Sequence, residues 1–169
     1  MGGIVMNNRK IGELFKYEDC GYDAAGELYS LSVVDYCGKQ KKVIVPKHFM
    51  KMPVEEIANQ TFSKKQIESI RIPNTVKNIG AGAFEDCKNL KAVTLNEGLK
   101  AIEFDAFQGT SIEKITIPST VKKIGERAFA NCSELTRIKC KIKKSYVEAN
   151  EYKFEGLLEN KDIINWLNG

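Results

Sequence analysis

The sequence predicts a short α/β solenoid: a right-handed coil with a β-ladder on one face, an N-terminal β-hairpin cap and a C-terminal helical cap. Three observations carry that expectation. One pattern is written three times between Ile67 and Leu135, its copies starting at Ile67, Leu90, Ile112 and Leu135, in steps of 23, 22 and 23 residues. A fixed period in the 20s with apolar residues at constant offsets marks units that bury a core only by stacking. An aromatic, β-branched block precedes the pattern, and a strongly apolar block follows it; neither fits the period.

Taken in order, residues 1–10 read as a flexible leader, with Met6 as an alternative start, and residues 11–169 as a single domain. Within it, 11–42 is the hairpin cap. The runs from Glu13 and from Leu28 favour strands, and Gly21, Asp23 and Gly26 supply turn chemistry between them. Repeats occupy 43–140. Val43, Val45 and Pro46 match Ile70, Ile72 and Pro73, but the gap from Pro to the next Val is five residues longer than in later copies. That apolar insertion reads either as a cap loop on the hairpin or as an edge for a partner, formed by Phe49, Met50 and Met52.

Inside one repeat, Ile70 and Ile72 alternate along a strand and face the core, so Ser69 and Arg71 face outward. Pro73 ends the strand because it has no N–H to donate. Val76 and Ile79 return inward, Gly80 and Gly125 permit a bend, and Phe84 and Phe129 set a ring into the core from one helical turn. In the C-terminal cap, 141–169, Tyr146, Tyr152 and Phe154 offer a last ring, and Leu157 through Leu167 read as a short apolar helix ending near Gly169. Trp166 reads as core or cap, with an edge contact as its alternative.

The chain holds 169 residues, 43% apolar and 28% charged, with a net charge of +4. It has no apolar run of about 18 residues, so no membrane insertion is expected, and no N-terminal stretch has the length of a secretory h-region. Arg137, Lys139, Lys141, Lys143 and Lys144 form a basic strip ahead of an acidic tail. The five cysteines show no metal-ligand spacing. Cys87 and Cys132 share one offset two repeats apart; at about 4.8 Å per layer they lie roughly 10 Å from each other, too far for a disulfide. Buried free thiols are expected there, while Cys20 and Cys37 stay open as a pair.

The run from Ile70 to Leu90, and again from Ile115 to Leu135, resembles the BspA-like (Treponema pallidum-type) leucine-rich repeat nearly letter for letter. The middle copy departs, with Asn96 for Pro, Glu103 for Gly, and a turn at Gln108–Gly109–Thr110 one residue short. The likeness covers roughly 28–154. It implies the solenoid fold and a role in adhesion and protein–protein contact at the surface of bacteria and some protists, and it does not imply enzymatic activity. Localisation stays open, because the cysteines and the N-terminus are also compatible with cytoplasm.

Catalytic machinery is hard to assemble from these residues. The single histidine, His48, would need Cys20 or Cys37 folded against it, and the carboxylates Glu68, Glu97, Glu113 and Glu126 sit at exposed offsets without a convergent pair. No catalytic residue, metal site or cofactor is expected. The expected contact surface is instead the outward strand positions Lys42, Ser69, Arg71, Thr94, Lys114, Thr116, Arg137 and Lys139, with Ile44 and Ala92 among them. Glu68, Lys91, Glu113 and Thr136 flank it. A protein partner with acidic character fits this face. Self-association through Phe49, Met50, Met52 and Trp166 is a second reading. A polyanion or nucleic-acid binder using residues 137–144 is a third, disfavoured by the lack of aromatic stacking platforms.

Overall fold

A computed structural model describes residues 8–22 and 24–168. The first seven residues of the expected leader lie outside the described residues. Its last three residues open a helix over Asn8–Leu14 (α1) that the sequence reading did not anticipate, with Ile11 in the core. β1 (Phe15–Tyr22) and β2 (Leu28–Tyr36) then make the antiparallel hairpin.

Each coil contributes strands to two sheets. The first sheet is a parallel ladder of β3 (Lys42–Ile44), β6 (Ser69–Arg71), β8 (Ala92–Thr94), β10 (Lys114–Ile117), β12 (Arg137–Cys140) and β13 (Ile164–Trp166). The second, which a single-ladder expectation missed, runs β1, β2, β5 (Met52–Ile57), β7 (Asn78–Ile79), β9 (Ala101–Ile102), β11 (Lys123–Ile124). β2 lies parallel to β5, so the hairpin covers the first coil by extending this second sheet. The insertion is the strand β4 (His48–Phe49), antiparallel to β5 through a turn in which Met50 and Lys51 both have positive φ, at 50° and 71°. That pattern is the hairpin turn whose twist matches the flanking strands.

A third ladder joins the turns. The amides of Gln60, Phe62 and Lys64 donate to the carbonyls of Ala81, Ala83 and Glu85 in the next coil at 3.0, 2.8 and 2.8 Å. Gly82, Phe84 and Asp86 repeat this onto Phe104, Ala106 and Gln108, and Asp105, Phe107 and Gly109 onto Glu126, Ala128 and Ala130. Left-handed residues on either side of each Phe, such as Asp105 at φ 54° and Gly109 at φ 67°, turn all these amides toward the following coil. Gly, Asp and Asn tolerate that conformation best. After the last turn the next carbonyl is replaced by a side chain: the Arg127 amide donates to Glu159 Oε1 at 3.1 Å.

The core is one column. Phe62, Phe84, Phe107 and Phe129 stack with centroids 5.1, 5.0 and 5.6 Å apart, and Tyr36 of the hairpin closes the top at 5.4 Å from Phe62. Gly80 and Gly125 have no positive φ, so they do not supply a bend. They supply room: a Cβ on Gly125 would stand 2.6 Å from the Phe104 amide nitrogen of the previous coil.

The C-terminal cap also differs from the expected apolar helix. α2 (Lys144–Glu148), a 3-10 turn (Glu151–Lys153) and α3 (Glu155–Leu158) lie over the last coil, and a further 3-10 turn leads into β13. Ile164 and Trp166 are therefore in a strand paired with Ile138 and Cys140, which extends the ladder beyond residue 140. Gly156 packs so closely on β11 that a Cβ would meet the Gly125 carbonyl oxygen at 2.0 Å. None of the described helices is long and apolar enough to cross a membrane.

Candidate functional site

The first sheet turns its inner residues, Val43, Ile70, Ile115 and Ile138, into the core and leaves their neighbours outside. Parallel pairing then assembles the outward residues into two rows. Lys42 lies beside Ser69, Ser69 beside Ala92, Ala92 beside Lys114 and Lys114 beside Arg137. The second row sets Ile44 beside Arg71 and Arg71 beside Thr94, and at its far end Thr116 beside Lys139 and Lys139 beside Asn165. All eight expected face residues thus come together on one surface. Lys42, Arg71, Lys114, Arg137 and Lys139 are exposed there, and none of the five makes an ion pair among the described residues.

The flanking offset behaves differently. Lys41, Glu68, Lys91, Glu113 and Thr136 stack along the entry side of the strands, so charge alternates in sign from coil to coil. Lys41 Nζ reaches Glu68 Oε1 at 2.7 Å, and this hydrogen bond holds the Glu68 carboxyl below its ordinary pKa. At the exit side, Ile44, Pro46, Arg71, Pro73, Asn96 and Glu97 line an open groove. Asn96 and Glu97 were not among the expected face residues. Asn96 stands where other copies have Pro, and its Nδ2 donates to the Ile72 carbonyl of the preceding coil. Glu97 accepts from Ser119 Oγ at 3.0 Å and faces Lys141 Nζ at 3.3 Å. The signal for such a role was its place at a variable offset next to the strand end.

The residues expected as an apolar edge do not form one patch. Phe49 is half-buried and stacks on Tyr17 of the hairpin, centroids 4.3 Å apart and planes 8° off parallel. Met52 lies opposite Phe49, and Met50 sits at the turn, 61% exposed. Trp166 is half-buried at the other end of the molecule, in β13. The basic strip 137–144 is divided as well: Arg137 and Lys139 join the face, Lys141 turns to Glu97, and Lys144 pairs with Glu148 at 3.6 Å.

All five cysteines are free. Cys20 approaches Ser30 Oγ at 3.5 Å near the hairpin tip, whereas the Cys37 amide bonds the Leu14 carbonyl at its base, so the strand length separates the two. Cys87 and Cys132 each donate a thiol hydrogen to the Phe carbonyl of the preceding coil, Phe62 at 2.9 Å and Phe107 at 3.1 Å. In the middle copy Thr110 fills that place, its hydroxyl donating to the Phe107 carbonyl at 2.9 Å. Burial pushes the Cys87 thiol up to about 12. His48 is exposed in β4, opposite Pro53. Among the described residues no three His, Cys, Asp or Glu side chains converge as a metal site requires.

Comparison with known proteins follows the same lines. The model of the BspA type leucine-rich repeat region matches residues 55–165 in six copies. A leucine-rich repeat protein of T. pallidum aligns with a TM-score of 0.59 and 25% identity over 75% of this chain and 68% of its own. One from Bacteroides capillosus aligns with a TM-score of 0.61 and 22% identity over 76% of this chain and 95% of its own. The pneumococcal vaccine antigen PcpA shares the fold at a TM-score of 0.51 and 23% identity, over 72% of this chain and 34% of its own. No curated protein matches the sequence.

Proposed function

Because the chain belongs to the BspA-type leucine-rich-repeat family, we propose that it is a non-catalytic interaction module that holds a protein partner on the outward face of its first sheet. One observation carries this reading. Register brings five cations without ion partners among the described residues onto a surface whose middle is short-chained, with Ser69, Ala92, Thr94 and Thr116. Short side chains let a partner approach the sheet closely, and the surrounding cations favour an acidic one. Extended faces of this kind are the usual contact surface of solenoids. The test is charge reversal at Arg71, Lys114, Arg137 and Lys139, followed by capture from extracts of the source organism or its host. Loss of one partner with an unchanged melting temperature is expected; retention of every captured protein sinks the reading. The finer form is an adhesin-type role at a bacterial surface, supported by the family resemblance alone. Labelling of intact cells with an impermeant reagent tests it.

A second reading is self-association. β13 and β3 are the two edge strands of the first sheet among the described residues, and an unpaired edge is a template for another strand. Mass in solution that rises with concentration supports this reading, and constant monomer mass removes it.

A further inference from the structure

The second sheet carries a feature that the strand-face reading does not use. At the offset just before its strands, Lys77, Lys100 and Lys122 stack one above another. The Lys100 amide donates to the Lys77 carbonyl and the Lys122 amide to the Lys100 carbonyl, both at 2.7 Å. All three side chains are exposed, and none makes an ion pair among the described residues. Like charges on neighbouring strands repel. The flanking column of the first sheet avoids this by alternating Lys41, Glu68, Lys91 and Glu113. Here three successive coils repeat the same sign at about 4.8 Å per layer.

The column does not end at Lys122. Its ammonium lies 4.9 Å from the centre of the Tyr146 ring, and a groove beside it is lined by Ser119, Lys122, Lys141, Lys143, Tyr146 and Asn168. Lys141 faces Glu97 at 3.3 Å, while Lys143 is exposed and lines the groove. We infer that the Lys77–Lys100–Lys122 column and this groove form a second binding surface, for an extended acidic polypeptide segment. Carboxylates laid along the column relieve the repulsion that the coil stacking imposes.

An acidic peptide fits better than nucleic acid. Tyr146 is the groove's single aromatic residue, and Lys122 lies over one face of its ring, so the groove offers no row of platforms for successive bases. The cations are lysines, flexible point charges, with no arginine fork for bidentate phosphate recognition. Its three lysines precede strands of the second sheet, not the first, and failure here leaves the strand-face reading untouched.

Lys100→Glu is the decisive variant because it moves two readouts in opposite directions. It puts an acid between two lysines, so the fold gains attractive neighbours and the melting temperature holds or rises. Binding of a fluorescein-labelled hexaglutamate peptide, followed by anisotropy at about 0.1 M salt, where the Debye length is about 10 Å, falls on the order of tenfold, because one exposed pair is lost and an acid repels the peptide in its place. Binding also fades as salt screens the column. Lys114→Glu/Arg137→Glu on the strand face lowers it by a smaller factor than Lys100→Glu, because those charges belong to the other sheet and salt screens them. Three results overturn the inference: no hexaglutamate binding by the wild-type chain, equal binding by Lys100→Glu, or equal loss in the strand-face variant. Tighter binding of a twelve-nucleotide oligo-dT with the same dependence on Lys100 overturns the assignment to peptide.

Discussion

Phe107→Ala examines the column on which every coil rests. The ring is fully buried, parallel within 3° to Phe84 at 5.0 Å and to Phe129 at 5.6 Å. Removing it deletes the transfer free energy of the ring and leaves a cavity that stiff neighbouring coils fill poorly, a cost of about 3–5 kcal/mol. Domains are stable by only about 5–15 kcal/mol in all. In a solenoid each layer touches only its neighbours, so the cavity weakens two interfaces at once. Phe104, three residues earlier, is the internal control: it is 57% exposed, and truncation there is expected within about 0.5 kcal/mol of wild type. Urea unfolding followed by circular dichroism and by Trp166 fluorescence measures both. With a slope of about 2 kcal/mol per molar urea, Phe107→Ala lowers the midpoint by about 1.5–2.5 M. A cost below about 1 kcal/mol, or an equal cost at Phe104, refutes the column as the organising core.

Further outcomes follow from the same geometry. In the native protein a thiol reagent at pH 8 modifies the exposed Cys37 first, then the exposed Cys20, whose thiol pKa burial raises, and the half-buried Cys132, while the buried Cys87 and Cys140 react only on unfolding; prompt reaction at Cys87 contradicts this. Burial pushes the Glu97 carboxyl up, but the Ser119 hydroxyl and the Lys141 ammonium outweigh it and hold its pKa below the ordinary value. A depressed folded pKa gives stability that is complete above the unfolded value, about 4.3 for Glu, and is lost as pH falls through the folded one. Glu97→Gln therefore lowers the melting temperature slightly at pH 7 and flattens its fall in acid, by under about 1 kcal/mol for so exposed a pair. Gly156→Ala drives a methyl group into the Gly125 carbonyl and costs about 1–3 kcal/mol by overpacking; hydrogen exchange at residues 155–158 accelerates if α3 is held as described.

Most of the coil was legible because its core letters obey strict geometry. Ile70 and Ile72 had to share a face, and the recurring Phe had to find one column, so period and alternation sufficed for the first sheet and its outward rows. The second and third ladders were not legible. Asn78–Ile79 is too short a strand to show alternation, and the turn ladder depends on left-handed residues as different as Gln60, Lys64, Asp105 and Arg127. Gly80 misled for a physical reason: glycine serves close approach as well as bending, and one sequence does not separate the two. At the C-terminus Ile163–Leu167 looked helical because apolar runs carry no decisive period, whereas pairing with β12 made three of those residues a strand. The lysine column escaped notice because its members are 22–23 residues apart, and only the coil stack makes them neighbours.

The most direct measurement on function is photo-crosslinking from the strand face. A benzophenone side chain at Thr94, central in its outer row, is compared with one at the exposed Phe104 on the turn side. In the presence of source or host extract, position 94 gives a discrete protein adduct, lost when Arg71, Lys114, Arg137 and Lys139 are reversed, and position 104 gives none. The same adduct from both positions, or one from position 104 alone, contradicts the strand face as the place where this solenoid holds its partner.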